Sequence, residues 1–359
     1  MNTTWQNIHP AFKLNGLKYS STELCEFAKD LEDKGTNYEI SIGNFLIQWL
    51  NEDSTVMVKT SGSTGKPKDI LLNKDNMVNS ANATGIFFKL AENTTALLCL
   101  PSNFIAGKMM LVRAMILGWD LHITAPEKDA LTQYDNDYDF VAMVPFQVLH
   151  SIDALKKVKK LIIGGGSISK ELEAKLINVD TEVFATYGMT ETITHIAVKR
   201  LNGLAKSAYY TALPNVKFSK DDRGCLIISA PDISEKEVIT NDIITLVSPT
   251  SFEWLGRYDN VINSGGIKIF PEKVEEKLSA FIQHPFIITS EKDEQLGERV
   301  ILIIETKDKN DKLDLSEAIS KLERYERPKK IYTFSEFPFT ETGKIKRDKI
   351  LQILLNRKI

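Results

Sequence analysis

Thr60-Ser61-Gly62-Ser63-Thr64-Gly65-Lys66-Pro67-Lys68 is the stretch of this 359-residue chain that decides its fold. Glycine lets a backbone approach a ligand closely, and hydroxyl and ammonium groups donate hydrogen bonds to anionic oxygens. A β-prone run, Thr55 to Lys59, precedes the stretch, and Met77, Ala81 and Phe88 follow it at helical spacing. The pattern indicates a phosphate-holding loop, with an ordinary turn as an equal alternative at this point.

The same stretch does not match the common P-loop. That motif needs four residues between its glycines and a serine or threonine after its lysine, so that the hydroxyl can bind magnesium. Here Gly62 and Gly65 are too close together, and Pro67 follows Lys66. The sequence therefore argues against a P-loop nucleotidase.

The overall composition is that of an ordinary globular protein. Hydrophobic residues make up 43% and charged residues 26% of the chain, and the formal net charge of -3 is spread without a basic patch. This argues against a nucleic-acid or membrane surface. We expect a cytoplasmic protein with no membrane insertion, because the first ten residues lack a leader pattern and no apolar run approaches about 20 residues.

Three cysteines, Cys25, Cys99 and Cys225, lie far apart in the sequence. No two of them have the spacing of a metal site or of a compact disulfide framework. We interpret them as reduced, mostly buried thiols.

The chain pattern predicts two domains. Short apolar runs that stop at glycine or proline alternate with helical segments in the first part, which indicates an α/β domain with a mainly parallel sheet. Residues 217–255 change to short alternating strands, which suggests a β-rich subdomain. Pro271 starts a helix with Val274, Leu278 and Phe281 on one face, inside a small α+β domain. We place the boundary between residues 1–257 and 258–359, and expect ligands at the carboxyl ends of the parallel strands.

Further stretches carry polar chemistry that would suit a nucleotide. Tyr187-Gly188-Met189-Thr190-Glu191 offers an aromatic face, a hydroxyl and a carboxylate, which could stack a base, bind a phosphate and hold magnesium. Asp242 could accept ribose hydroxyls, and Arg257 is a fixed positive charge. Taken singly, each has a plainer interpretation, as a strand-end turn or as solvated surface.

Together these motifs closely resemble the adenylate-forming superfamily of acyl-CoA synthetases, adenylation domains and luciferases. The resemblance runs from about Thr55 to the end of the chain, with motif order and spacing in agreement. It implies the adenylate-forming enzyme fold, here with a shortened amino-terminal region. It also implies ATP, Mg²⁺ and coenzyme A as cofactors, and a small aromatic or acyl carboxylic acid as substrate.

The resemblance also implies roles for individual residues. The catalytic set is Lys344, which would bridge the acyl carboxylate and the α-phosphate, Thr190 at the α-phosphate, and Glu191 as the magnesium ligand. Asp259 falls where the family places its hinge. The cofactor-binding residues, from the phosphate loop through the adenine and ribose sites to the CoA tunnel, are Thr60, Ser61, Gly62, Ser63, Thr64, Gly65, Lys68, Gly164, Gly165, Gly166, Tyr187, Asp242, Arg257, Gly265 and Gly266.

Two departures from the family pattern affect the acyl pocket and the ribose strand. Phe104 stands where many members have histidine, and Asn241 replaces the usual glycine before the ribose aspartate. The segment around Tyr187 and the compact chain look most like the o-succinylbenzoate-CoA ligases of menaquinone biosynthesis. A basic group should hold the carboxylate that is not activated, and His195, Lys199 and Arg200 are the candidates, with solvent-facing cations as the alternative.

The sequence leaves three alternative functions and the oligomeric state undecided. The alternatives are another aryl or acyl acid-CoA ligase, an enzyme that loads a carrier protein, and a non-catalytic nucleotide-binding relative. Glu191 and Lys344 argue against the last, because a pure binder needs neither. A homodimer is compatible with the sequence.

Overall fold

The structure is a computed structural model that describes residues 4–59, 69–133, 135–306, 313–339 and 345–356. The predicted phosphate loop, Thr60 to Lys68, and the predicted catalytic Lys344 lie outside the described residues. The helices are α1 (Ser21–Lys34), α2 (Asn37–Leu50), α3 (Lys74–Phe88), α4 (Ile105–Leu117), α5 (Pro145–His150), α6 (Lys170–Leu176), α7 (Pro271–Leu278), α8 (Ser316–Ser320) and α9 (Arg347–Asn356).

The strands are short and mostly follow the apolar runs of the sequence. They are β1 (Lys13–Leu14), β2 (Leu17–Lys18), β3 (Thr55–Lys59), β4 (Asp69–Asn73), β5 (Thr95–Leu98), β6 (Asp120–Ile123), β7 (Tyr138–Met143), β8 (Val158–Ile163), β9 (Glu182–Gly188), β10 (His195–Arg200), β11 (Tyr210–Ala212), β12 (Lys217–Lys220), β13 (Cys225–Ser229), β14 (Val238–Ser248), β15 (Ser251–Arg257), β16 (Ile262–Ser264), β17 (Ile267–Ile269), β18 (Phe286–Asp293), β19 (Gly297–Glu305) and β20 (Lys330–Phe334).

One sheet of 13 strands dominates residues 4–257, which we call the first module. Its strand order is β12-β13-β14-β15-β11-β10-β9-β8-β7-β5-β6-β1-β2. The pairs from β9 through β8, β7, β5 and β6 to β1 are parallel, as the alternation of strands and helices predicts. From β10 to β12 the pairs are antiparallel and continue the same sheet, so the predicted β-rich part is hydrogen-bonded to the parallel part through β9 and β10.

Helix α4 runs through the interior of the first module. Every residue from Gly107 to Ile116 is buried, and most of them are apolar on all sides of the helix, as expected for a helix with no solvent face. The exceptions are Lys108 and Arg113, which α4 carries into the core.

The amino-terminal helices α1 and α2 are joined to the rest by a buried lysine. Ser20 and Glu23 form a capping box that starts α1. Lys74, at the start of α3, donates to the carbonyl oxygens of Trp49 and Asn51 at 3.0 and 3.1 Å. These carbonyls lie at the carboxyl end of α2, where a positive charge is favourable.

Residues 261–356, which we call the second module, have their own sheet and core. Strands β17, β16, β19 and β18 lie in that order, and β20 pairs with β19. Within the described residues, no cluster of buried hydrophobic side chains includes members of both modules. Val274 and Leu278 of α7 are buried as predicted, whereas Phe281 is 38% exposed. The prediction for Phe281 was wrong because α7 ends at Leu278, so the helical spacing does not extend to it.

Two features of composition can be compared with the structure. Cys99 and Cys225 are buried free thiols and Cys25 is a half-buried one, which confirms the interpretation of the cysteines. In the described part of the chain, no helix has both the length and the apolar character that crossing a bilayer requires.

Candidate functional site

Tyr187, Asp242 and Arg257 come together at one end of the large sheet. The Tyr187 hydroxyl donates to Asp242 Oδ2 at 2.6 Å, and Arg257 Nη1 lies 3.5 Å from Asp242 Oδ1. Trp254 Nε1 is a third donor, 3.2 Å from the same Oδ1. Asp242 and Arg257 are cross-strand partners on β14 and β15, whereas Tyr187 ends β9. The sheet thus unites residues that are far apart in sequence.

The carboxylate of Asp242 is 5% exposed and is compensated by these donors. Burial, and then the negative charge of Asp242, raises the pKa of Tyr187, so its hydroxyl stays protonated and donates. A carboxylate accepts about four hydrogen bonds, and three donors are in place. The group therefore keeps acceptor capacity for a ligand hydroxyl.

The glycines at residues 164–166 lie at the same edge of the sheet as Tyr187. Strands β8 and β9 are parallel, with Ile163 opposite Ala185, so both chains leave the sheet side by side. A Cβ atom on Gly164 would lie 2.6 Å from Thr186 Oγ1, and Gly165 has φ of +79°. The conformation of Gly165 favours glycine, and a side chain on Gly164 would require Thr186 to move, so the backbone here lies bare beside β9.

Thr190 and Glu191 lie on a short 3₁₀ turn directly after β9. The Glu191 carboxylate is exposed and the Thr190 side chain is half-buried. The turn ends at Ile193, whose φ of +64° and ψ of -60° belong to a γ-turn, closed by a 2.7 Å bond from Thr194 N to Thr192 O. This conformation is strained for a β-branched residue, and such strain concentrates at functional sites.

The strained turn leads directly to a buried polar cluster. His195 pairs with Gly188 across β9 and β10, and a Cβ atom on Gly188 would lie 2.2 Å from Thr194 O. Arg113 of α4 lies behind this pair, with Nη2 3.4 Å from His195 Nδ1 and Nε 3.3 Å from Thr84 Oγ1. One strand pairing therefore separates Arg113 from the segment that carries Thr190 and Glu191.

Arg113 has no acidic partner within the described residues. Its other contacts are Thr194 Oγ1 at 3.5 Å and Met110 Sδ at 3.6 Å, both uncharged. The side chain is 1% exposed, and burial alone lowers its pKa to about 9. A guanidinium without a carboxylate is costly in an apolar interior, since buried charges are normally paired. The cluster is suited to an anion brought in by a ligand.

The three basic residues predicted to hold a second carboxylate behave differently. Burial, followed by the charge of Arg113, holds the pKa of His195 well below its usual range, so His195 is neutral. Lys199 lies over the Tyr210 ring, 5.3 Å from its centre. Arg200 pairs with Glu182. None of the three is a buried cation without a partner. Arg113 is such a cation within the described residues, and it was not predicted from the sequence.

A signal for Arg113 was available in the sequence. The run from Met109 to Leu117 is apolar except for Arg113, although Lys108 directly precedes it. A charge inside such a run either pairs with another charge or serves a ligand. The spacing could not show that Thr84 and His195 would be its neighbours.

The remaining predicted residues lie elsewhere or outside the described residues. Gly265 and Gly266 form the turn between β16 and β17 in the second module, with φ of +57° and +82°, and a Cβ atom on Gly265 would lie 3.2 Å from Leu296. They are part of that hairpin and not of the Tyr187 cluster. Lys59 and Asp69, which flank the predicted phosphate loop, are cross-strand partners, as are Phe339 and Ile345, which flank Lys344.

The described residues contain no cluster of three or more metal-binding side chains. Magnesium in nucleotide sites is usually held by one or two carboxylates and by substrate phosphates, with water completing its shell. A single exposed carboxylate beside the half-buried Thr190 hydroxyl fits that pattern. Glu191 is therefore a suitable magnesium ligand only when a phosphate is present.

Surface cavities do not mark this site. Two cavities, of about 110 and 470 Å³, share Pro214, Asn215 and Val216 and lie along α3 and the loop before β12. Neither is lined by Tyr187 or Asp242. The chemistry of the side chains, and not the depth of a groove, identifies the site.

Comparison with known proteins identifies the family of this chain. A family model described as "AMP-binding enzyme" matches residues 21–219. The 2-succinylbenzoate-CoA ligase of Bacillus cytotoxicus is 22% identical over 349 residues, which cover 84% of this chain and 70% of that protein.

Two solved structures extend the comparison. An acyl-CoA synthetase (AMP-forming)/AMP-acid ligase II-like protein from Dyadobacter fermentans is 35% identical, with a TM-score of 0.62 over 94% of this chain and 99% of that one. O-succinylbenzoate coenzyme A synthetase from Bacillus subtilis, solved with ATP and magnesium, has a TM-score of 0.72 at 19% identity and covers 94% and 83% of the two chains. The second likeness shows the shared fold.

The family match covers more than half of the chain, and the Dyadobacter protein matches along nearly its whole length. The predicted adenylate-forming fold is confirmed. This chain belongs to the family of AMP-binding enzymes.

Proposed function

We propose that the protein is an ATP-dependent, AMP-forming acid-CoA ligase that converts o-succinylbenzoate to o-succinylbenzoyl-CoA, a step of menaquinone biosynthesis. The observation that carries the choice of acid is the buried Arg113, which has no acidic partner within the described residues. An acid with two carboxylates can present one for activation and place the other against Arg113. The names of the similar ligases support the same substrate.

The reaction proceeds in two steps through an acyl adenylate. An oxygen of one carboxylate attacks the α-phosphorus of ATP, the bond to the β-phosphate oxygen breaks, and pyrophosphate leaves. The thiol sulfur of coenzyme A, after losing its proton, then attacks the acyl carbonyl carbon, and AMP leaves. The first step brings two anions together, so cationic groups and fixed donors are its main source of acceleration.

We assign the nucleotide to the residues at the sheet edge. Tyr187 and the glycines at residues 164–166 would enclose adenine, and Asp242 with Arg257 would hold the ribose. Thr190 would donate to the α-phosphate. For the groups outside the described residues, the assignments rest on the sequence motifs: Lys344 at the reacting carboxylate, and Thr60, Ser61, Gly62, Ser63, Thr64, Gly65 and Lys68 at the departing pyrophosphate.

Glu191 would hold the magnesium ion, which neutralises phosphate charge when it is bound. Its exposed position leaves the carboxylate free to share the ion with phosphate oxygens and water. Gly265 and Gly266 are assigned to the path of coenzyme A, because a turn without side chains lets a narrow ligand pass close to the backbone.

We also propose that residues 1–257 form the ATP- and acid-binding domain and residues 258–359 a mobile domain that carries Lys344. Separate sheets and separate hydrophobic clusters support this division. A cytoplasmic location and a homodimer remain predictions, and sedimentation of the purified protein tests the second.

The test of the substrate is a pyrophosphate-release assay with ATP and Mg²⁺. The acids to compare are o-succinylbenzoate, benzoate, a fatty acid and an amino acid. Two further analogues each lack one carboxylate of o-succinylbenzoate: 3-benzoylpropionate and 2-butanoylbenzoate. The analogue without the carboxylate that is activated should give no acyl adenylate, because it has no oxygen in place to attack the α-phosphorus. The analogue without the other carboxylate should lose at least about 100-fold in kcat/KM, because a buried charge left unpaired costs about 3–5 kcal/mol.

The outcomes separate the candidate functions. Pyrophosphate release with o-succinylbenzoate, followed by thioester formation when coenzyme A is added, supports the proposal. A preference for another acid would replace the substrate, and transfer to a carrier protein but not to coenzyme A would make the protein a loading enzyme. Nucleotide binding without pyrophosphate release from any acid would leave only a binding role.

A further inference from the structure

The two modules meet through one charged face of α7. Lys273 Nζ lies 2.7 Å from Glu253 Oε1 on β15, and Glu276 Oε1 lies 2.7 Å from Lys170 Nζ at the start of α6. In the part of the chain that the structure describes, no other ion pair joins the first module to the second. Since Lys273 and Glu276 are three residues apart, they lie on the same side of the helix.

These pairs belong to a larger cluster of alternating charges. Lys170 also reaches Glu173 Oε2 at 3.1 Å, and Lys273 lies 3.5 Å from Glu276 within α7. Lys199 on β10 is close enough that Glu173 and Glu276 raise its pKa while Lys170 and Lys273 lower it, although burial is the larger influence and leaves the pKa lowered. We call these six residues, Lys170, Glu173, Lys199, Glu253, Lys273 and Glu276, the α7 ion cluster.

The aromatic ring of Tyr210 lies between the α7 ion cluster and the residues proposed to bind the nucleotide. Lys199 Nζ lies 5.3 Å from the centre of the Tyr210 ring. Tyr210 in turn packs edge-on against Tyr187, with 5.8 Å between ring centres, and Tyr187 holds Asp242. Tyr187 is therefore two side-chain contacts from Lys199, whose pKa is influenced by the charges of Lys273 and Glu276 at the junction.

Among the residues that the structure describes, no buried apolar cluster spans the junction between the modules. Val274 and Leu278, on the other side of α7, are buried in the second module's own core. The side chains of the joining pairs are partly exposed, for example 35% for Lys170 and 45% for Glu276. Exposed ion pairs are weak one by one and are weakened further by salt. A contact built this way can open without disrupting either core.

We propose that the α7 ion cluster is an electrostatic catch that holds the second module in its present orientation and releases it reversibly. Ion pairs with Lys170 and Glu253 favour the docked state, while the short connection at residues 258–260 keeps the released module nearby. The proposal concerns the orientation of the modules and goes beyond the identity of the acid.

The test is a distance measurement on the full chain by electron-spin resonance. Spin labels on Ser219→Cys and Gln283→Cys, both at exposed positions, report on the two modules in a Cys25→Ser background. Charge reversal by Glu276→Lys or by Lys170→Glu should each raise the population with displaced distances by roughly fivefold. The double variant K170E/E276K restores opposite charges and should return the distribution of the starting protein.

A matched control lies on the same helix as Lys170. Glu171 pairs with Lys175 within α6 and makes no ion pair with the second module. Glu171→Lys should leave the distances unchanged. An unchanged distribution in Glu276→Lys, an equal effect of Glu171→Lys, or a failure of the double variant to restore the distances would overturn the catch.

A second measurement needs no charge substitution. Raising the salt from about 0.1 M to about 1 M shortens the screening length roughly threefold and should increase the displaced population of the otherwise unchanged labelled protein. A salt-independent distribution would overturn the proposal even if the charge variants failed to fold. These experiments measure distances and not turnover. The proposed catch can therefore be refuted while the proposed ligase activity is supported, and the ligase activity can be refuted while the catch is supported.

Discussion

Two arginines of the first module differ in what they face. Arg257 is partly exposed and lies between two carboxylates, 3.5 Å from Asp242 and 3.6 Å from Asp259. Arg113 is buried, and within the described residues its polar contacts are two threonine hydroxyls, a neutral histidine and a thioether. The charge of Arg257 is paired with carboxylates in the ligand-free protein, whereas we expect the charge of Arg113 to be paired when an anionic ligand binds.

The comparison separates stability from binding. A binding-site charge that is already paired within the protein stabilises the folded state and also contributes to ligand affinity. Its removal therefore lowers both the free energy of unfolding and the affinity. A buried charge kept for a ligand costs stability in the empty protein and contributes to binding only. Substitutions at the two places should therefore give opposite effects on the free energy of unfolding.

The largest effect is expected for Arg113→Met. The KM for o-succinylbenzoate should rise at least about 100-fold, because the second carboxylate would be buried without a partner. The free energy of unfolding of the ligand-free protein should stay the same or increase, since an unpaired buried charge is removed. Steady-state kinetics and denaturant unfolding measure the two quantities.

Arg200→Met is the control for this substitution, because Arg200 is a half-buried arginine of the first module that is paired with Glu182. It should lower the free energy of unfolding and leave the KM for the acid unchanged. If Arg200→Met raised the KM for the acid and Arg113→Met did not, the second carboxylate would bind at Arg200. The proposed role of Arg113 would then be wrong.

A smaller effect on ligand affinity is expected for Asp242→Asn. Its amide cannot accept from Tyr187, Trp254 and Arg257 together, and the affinity for AMP should fall by about 2 kcal/mol, or roughly 30-fold. Unlike Arg113→Met, this change should also lower the free energy of unfolding. Calorimetric titration with AMP and denaturant unfolding test both expectations.

Asp30→Asn serves as its control, because Asp30 accepts from Lys34 in an exposed pair on α1 and has no hydrogen bond to the strands that carry Tyr187 and Asp242 among the described residues. AMP affinity should be unaffected. If Asp242→Asn left the free energy of unfolding unchanged, the pairing of Asp242 with Arg257 would not stabilise the ligand-free protein. The contrast between Arg257 and Arg113 would then be wrong.

The smallest effect concerns pH and His195. Burial, and then the charge of Arg113, holds the pKa of His195 well below its ordinary value of 6.5, so the folded state keeps it neutral. The unfolded chain takes up a proton as pH falls through about 6.5, and the free energy of unfolding should then fall by about 1.4 kcal/mol per pH unit.

Unfolding measured from pH 7.5 to pH 5.5 in the unchanged protein and in His195→Gln isolates this contribution. The unchanged protein should lose more stability than the variant as the pH falls. Arg113→Met removes one of the two causes of the lowered pKa and should reduce the difference. Parallel pH profiles of the unchanged protein and His195→Gln would mean that His195 is already protonated in the folded state.

Local patterns predicted most of the secondary structure. The predicted strand runs at residues 161–163 and 330–334 lie in β8 and β20, and Pro271 begins α7 as expected for a proline at the first helical position. The run at residues 69–73 was missed as a strand. It has three apolar residues between Asp69 and Asn73 and directly follows the predicted loop, and its pairing with β3 makes it β4.

Pairing across the sheet also decides how the predicted β-rich part joins the rest of the first module. Alternation along one strand shows which side chains share a face but not which strand lies next to it. The antiparallel strands could have formed a separate unit, and the contact of β10 with β9 instead joins them to the parallel sheet.

The sequence by itself determined the family and the chemistry of the nucleotide end, because Tyr187, Thr190 and Glu191 lie within five residues and their types and spacing carry the information. Only the tertiary structure decided which charges are paired. Arg113 meets Thr84 and His195 across 29 and 82 residues, and Lys170 meets Glu276 across 106. The strength of a charge depends on its burial and on neighbours from other segments, and a linear pattern contains neither.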